Sequence, residues 1–176
     1  MRKGDWIQTF TGRKFYPIDP RPEEIFLEDI AHSLACQCRF AGHAKCFYSV
    51  AQHSFLVSTI CTIKNSKWAL LHDATEAYLV DLPRPIKRYS KLGEEYKKIE
   101  KALMDCVCQR FGIDTDEPEE VKESDSRILM TEKRDLLLVG ERWSETAEPI
   151  GRRIIAWDWK QSENVFLAAA SSLDIF

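Results

Sequence analysis

The stretch WALLHDATEAYLVDLPRPIK, residues 68–87, opens as an apolar helix and then sets His72 beside Asp73. Trp68, Thr75 and Leu79 recur at helical spacing and mark one inward face. His72 falls on that face four residues after Trp68, and Glu76 follows four residues later. Pro83 and Pro85 stop the pattern, so the spacing predicts a helix over 66–79. A helix that turns an imidazole and carboxylates toward a core needs something there to receive them. An unpaired buried charge is costly, and its escape is to pair, to protonate or to bind a cation.

Outward from this stretch the chain reads as further helices. One spans Glu23 to about Arg39, one Ser49 to Ile63 and one Leu92 to Phe111, the last closed by Gly112. A long one runs from Glu117 to about Arg142 with Pro118 in its first turn, and a last one from Ser162 to Leu173 with Ser162 as its cap. Residues 1–22 hold two of the chain's glycines and three prolines and read as irregular, and residues 143–161 read as a loop. No run alternates with period two, so the fold class is all-α: a single domain over 1–176, a bundle of about six helices.

Length and charge narrow the functions. A chain of 176 residues is long enough for one real core. A net charge of −3 disfavours a nucleic-acid polymer as partner, because such surfaces carry a clustered basic excess. No segment is apolar for long enough to span a membrane, and the N-terminal residues lack the apolar core of a signal peptide, so a cytoplasmic protein is expected. The six cysteines, two pairs of them C-x-C, read as packed thiols rather than as metal ligands or disulfides.

Ionisable groups recur on the inward faces of other helices. His53 sits among Val50, Ser54, Val57 and Cys61. Val121, Ile128, Leu136 and Val139 form a stripe interrupted by Asp125 and Glu132. Acids and imidazoles converging from three helices suggest a metal site. Imidazole nitrogen with carboxylate oxygen suits a borderline divalent ion such as Mn, Co, Fe, Zn or Ni. Glu132 is expected in a structural ion pair with Arg127 or Arg134, and His32 in packing at the core boundary. Arg152, Arg153, Trp157 and Trp159 are expected on a loop that packs on the bundle.

The order His53, His72-Asp73, Asp125 resembles the H…HD…D signature of the HD-domain phosphohydrolases, with 18 residues between the histidines and 51 between the aspartates. AQHS around His53, LLHDATEAYLVDLPRPIK around the doublet and ESDSRILMTE around Asp125 are similar to the compact YfbR-like branch of bacterial 5′-deoxynucleotidases and phage dNTP (dATP) triphosphohydrolases. The resemblance spans about Glu28 to Glu132. It implies that His53, His72, Asp73 and Asp125 hold one divalent ion (Co, Mn, Mg, Zn, Fe or Ni). It further implies that Glu76 is a general acid/base, that Asp81 orients water or contacts the sugar, and that Arg39 grips phosphate. Phe40 would lie beside the sugar and Lys87 would be a second phosphate contact. His43 either contacts phosphate or caps a loop. The implied substrate is a small deoxynucleotide, and the implied assembly is a homo-oligomer, a dimer or larger. Release of phosphate from a dNMP is the leading activity. A dNTP triphosphohydrolase is the alternative, with Arg84, Lys87, Arg88 and Lys91 as cations for a longer phosphate chain. A non-catalytic nucleotide-sensing module is the alternative of another class.

Overall fold

The computed structural model describes residues 2–176. Its helices of nine residues or more number six among the described residues. They are α1 (Leu27–Cys36), α2 (Val50–Ile60), α3 (Ile63–Leu71), α6 (Lys91–Phe111), α7 (Glu119–Leu136) and α8 (Trp159–Ser172). Two short ones, α4 (Glu76–Leu79) and α5 (Arg84–Tyr89), lie between α3 and α6. The all-α expectation holds.

Local chemistry sets most boundaries. The Ser49 hydroxyl accepts from Gln52 N to cap α2, and Ser90 and Asp158 cap α6 and α8 by accepting from Gly93 N and Gln161 N. The cap of α8 is therefore Asp158 rather than Ser162, which is buried one turn inside. Gly112 ends α6 in the left-handed conformation at φ 65°. The prolines of residues 83–85 do more than stop a helix, since Pro85 also sits in the first turn of α5, where its missing N–H costs nothing.

Other expectations need correcting. The first helix is shorter than Glu23 to Arg39: a 3-10 turn covers Pro22–Glu24, and the helix proper ends at Cys36. The long helix ends at Leu136, so Val139 leaves the stripe and is fully exposed. Residues 1–22 contain a hairpin, β1 (Ile7–Gln8) with β2 (Lys14–Phe15), antiparallel, Ile7 opposite Phe15. Two-residue strands are too short to show an alternation. The hairpin is pinned by Asp29, which accepts from Thr11 N and Thr11 Oγ1 at 2.7 and 3.0 Å, and by buried Phe15 stacked on Tyr78. All six cysteines are free, but only Cys108 is fully packed; Cys36 and Cys46 are exposed.

The core has two parts. One gathers Ile30, Leu34, Leu70, Leu71, Leu103, Val107 and Phe166 around α1, α3, α6 and α8. The other gathers Val57, Trp68, Val121, Ile128 and Leu136 between α2, α3 and α7. In the second part α2 carries His53 and α7 carries Asp125 and Glu132, while His72 and Asp73 follow directly on the end of α3. The C-terminal loop closes over α2: the Gln52 side chain donates to Ile155 O and accepts from Trp157 N, and Trp157 packs on Phe55. No helix among the described residues is long and apolar enough to cross a membrane.

Candidate metal centre

The predicted helix over 66–79 is broken at the doublet. α3 stops at Leu71, and the next turns are tightened: Ala74 N, Glu76 N and Ala77 N each donate three residues back, to Leu71, Asp73 and Ala74. In such a turn side chains three apart eclipse, so Asp73 and Glu76 stand on one side. The tightening also lets adjacent His72 and Asp73 address one point from α3's end.

Four side chains meet there. His53 Nε2 lies 3.2 Å from His72 Nε2, 3.1 Å from Asp125 Oδ1 and 3.6 Å from Asp73 Oδ2. His72 Nε2 lies 3.3 Å from Asp73 Oδ2. Ligands held ~2.1 Å from a tetrahedral or octahedral ion stand ~3.0–3.4 Å from one another, so the spacing fits a divalent ion. The other ring nitrogens are engaged elsewhere. His72 Nδ1 meets Ala69 O at 2.7 Å, and His53 Nδ1 meets a Glu132 carboxylate oxygen at 2.7 Å. Both partners are acceptors, so both Nδ1 atoms carry a proton, and in the neutral imidazoles that metal ligation needs both Nε2 lone pairs would face the common point. His53, His72 and Asp73 thus form a cluster that can hold a metal, with Asp125 against it.

The electrostatics agree. Burial works against a charged His72, but the adjacent Asp73 carboxylate outweighs it and holds the imidazole up at about 10. Burial raises Asp73 and Asp125, yet the imidazoles more than reverse this: Asp73 is held far below the usual carboxylate range and Asp125 at about 2. The cluster is a sink for positive charge. Glu76 is the opposite case. It is buried, its Oε2 has no partner, and burial followed by repulsion from Asp73 and Asp81 pushes its carboxyl well up.

Glu132 departs from expectation. It is fully buried and pairs with neither Arg127 nor Arg134. Arg127 instead donates to Glu148 O, and Arg134 to Asp135 and to the Ile150 and Arg152 carbonyls. Glu132 binds His53 and accepts from Arg39 Nη2 at 3.2 Å, while Arg39 Nη1 lies 3.6 Å from Asp73. The signal was its place seven residues after Asp125, two turns along the same face of α7.

The remaining expected residues fall at varied depths. Arg39 borders the cluster, 12% exposed, with its Nε unpartnered. Phe40 and Ala41 follow in left-handed backbone at φ 58° and 49°, and the Phe40 ring lies 6.4 Å from that of Trp143. Asp81 is half-buried, just past Val80, a β-branched residue at φ 68° and ψ 150° where side chains strain the backbone. His43 is exposed, and the turn's contact there is its backbone N–H to Phe40 O. Lys87 is held by Glu100 at 2.5 Å. His32 packs as expected at the boundary, stacked on Phe10 and bonded to Glu163.

Comparison with known proteins places this geometry. The chain is 42% identical over 131 residues to the "Uncharacterized protein YfdR" of Escherichia coli K12, covering 74% of this chain and 72% of that one. The chain belongs to the YfdR family. It is also 32% identical over 99 residues to a 5′-deoxynucleotidase of Pectobacterium atrosepticum, covering 47% of this chain and 46% of that one. With a 5′-deoxynucleotidase of Yersinia pestis it shares 39% over 70 residues, 30% of this chain and 36% of the other. The match spans less than half the length of these two relatives. Their likeness supports the HD-domain resemblance. No family model matches the chain.

Proposed function

We propose that the protein is a metal-dependent phosphohydrolase of deoxynucleotides that releases phosphate from deoxynucleoside monophosphates. The observation that carries this reading is the pair of imidazoles, each with Nδ1 donated away and Nε2 turned toward the other and toward Asp73 and Asp125. These four residues would hold the ion. A bound divalent cation supplies Lewis-acid polarisation of a phosphoryl oxygen and lowers the pKa of water beside it.

The chain's own groups supply the rest. Arg39 has an unpartnered Nε and a guanidinium at the edge of the cluster, and its fork suits a phosphate oxygen. Burial, then repulsion from Asp73 and Asp81, pushes the Glu76 carboxyl well up, which favours its protonated form and suits it to give a proton to the departing sugar oxygen. Asp81, half-buried just past Val80 and close enough to Glu76 for its charge to act there, would contact the sugar or orient water. The short substrate is favoured because Lys87 is tied to Glu100 and because Arg84, Arg88 and Lys91 are exposed.

The test is phosphate release from a panel of dNMPs and dNTPs with Mn or Co, run beside Glu76→Ala. Phosphate from dNMPs that is lost in the variant is the expected result. Triphosphate release from dNTPs would replace the substrate assignment. Nucleotide and metal binding without turnover would make the chain a sensing module.

A further inference from the structure

We infer that Glu132 is a positioning residue that ties the metal ligand His53 to the phosphate-facing Arg39; this rests on the metallophosphohydrolase reading above. Its carboxylate is fully buried and divides its two oxygens between two tasks. One accepts from His53 Nδ1–H at 2.7 Å, and the other accepts from Arg39 Nη2 at 3.2 Å. A buried carboxylate with both oxygens engaged by donors has no freedom to turn without breaking a charge-assisted bond.

Two consequences follow for the site. The carboxylate accepts only, so it fixes the His53 proton on Nδ1 and leaves the Nε2 lone pair for the ion. It also anchors one branch of the Arg39 fork. The other branch lies 3.6 Å from Asp73, itself in the metal cluster. Without Glu132, Asp73 is the carboxylate already within 3.6 Å of Arg39, and the arginine would draw that oxygen away from the ion. One side chain therefore keeps the cation of the protein from competing with the cation of the site. The two α7 acids nearest to Glu132 in the chain are otherwise engaged. Asp125 faces the cluster itself, and Asp135 is bonded by Arg134 and Ile154 N.

The experiment compares wild type with Glu132→Gln and Glu132→Asp. Glutamine keeps the shape but presents an amide that can donate as well as accept, so His53 loses its fixed tautomer. Aspartate keeps the charge but is shorter, so it serves one partner at a time. Two quantities are read. One is the affinity for Mn or Co, titrated into chelator-treated protein. The other is the proton resonance of His53 Nδ1–H, which a bond to a carboxylate shifts far downfield with or without metal. In Glu132→Gln we expect ~10–100-fold weaker metal binding and an upfield move of that resonance, with aspartate intermediate. A folded glutamine variant with metal affinity within about twofold of wild type and an unmoved resonance would overturn the inference. Should the glutamine variant not fold, the wild-type resonance and the aspartate variant decide: an ordinary His53 resonance in wild type overturns it. If wild type takes up no divalent ion, the metal reading fails while the resonance still tests the Glu132 bond.

Discussion

At the scale of the residue, function and stability pull against each other at Glu76. Its raised carboxyl means the folded chain penalises the ionised form, so its favourable contribution is present at low pH and fades as pH rises above the ordinary glutamate range of ~4.3. Replacement by glutamine, which is neutral at every pH, is expected to raise the melting temperature of metal-free protein near pH 7 and to change it little near pH 4. The same variant is expected to lose ~10²–10⁴-fold in phosphate release, the usual worth of a general acid. A scan of melting temperature and rate across pH checks both, and a variant both less stable and fully active would refute the assignment. At this scale the sequence was most legible. His53, His72 and Asp125 were readable because each breaks an apolar face, and Asp73 because it stands beside His72 in the H…HD…D order; the structure brings all four together. Glu132 broke a face in the same way, yet its partners were not readable, since Arg39 lies 93 residues away and only tertiary packing brings it there.

At the scale of the element, the decisive feature is the tightened turn between α3 and α4, which periodicity cannot show. A continuous helix and a helix with one 3-10 turn share the same apolar spacing for nearly two turns. The hairpin at residues 7–15 and the short α5 were hidden for the related reason that each element is too short for its period to repeat. α5 has a sharp steric signature nonetheless. A Cβ at Gly93, in the first turn of α6, would run into the Ile86 and Lys87 carbonyls at the end of α5. Gly93→Ala is therefore expected to cost ~1–3 kcal/mol of stability as the two helices are forced apart, read by denaturant unfolding. Gly140→Ala, on the open loop after α7, is the comparison and is expected to change stability by less than ~0.5 kcal/mol. Equal effects at the two positions would show that α5 does not pack on α6 this closely.

At the scale of the whole molecule, charge balance in the cluster sets a pH window. In protein freed of metal, Asp125 is held down at about 2, so its contribution is present above ~3.9 and lost as pH falls toward that value. His72 is held up at about 10, so its contribution is complete below ~6.5 and lost as pH rises toward that value. Thermal stability of the metal-free chain is thus expected to be greatest between ~pH 4 and ~pH 6.5. A divalent ion needs neutral imidazoles, so the stabilisation it adds should grow as pH rises through neutrality. Melting curves over pH with and without Mn would reveal both trends, and a metal effect that shrinks with rising pH would argue against imidazole ligation. The fold class was legible from the lack of period-two alternation, whereas the way α2, α3 and α7 close around one point was legible only as a convergence of charged faces. The most direct measurement is the divalent metal content of the purified chain after Mn loading and desalting, beside His53→Ala and Asp125→Ala. About one ion per wild-type chain and almost none in either variant is the expected result; a wild type without stoichiometric metal, or variants that retain it, would contradict the metal centre.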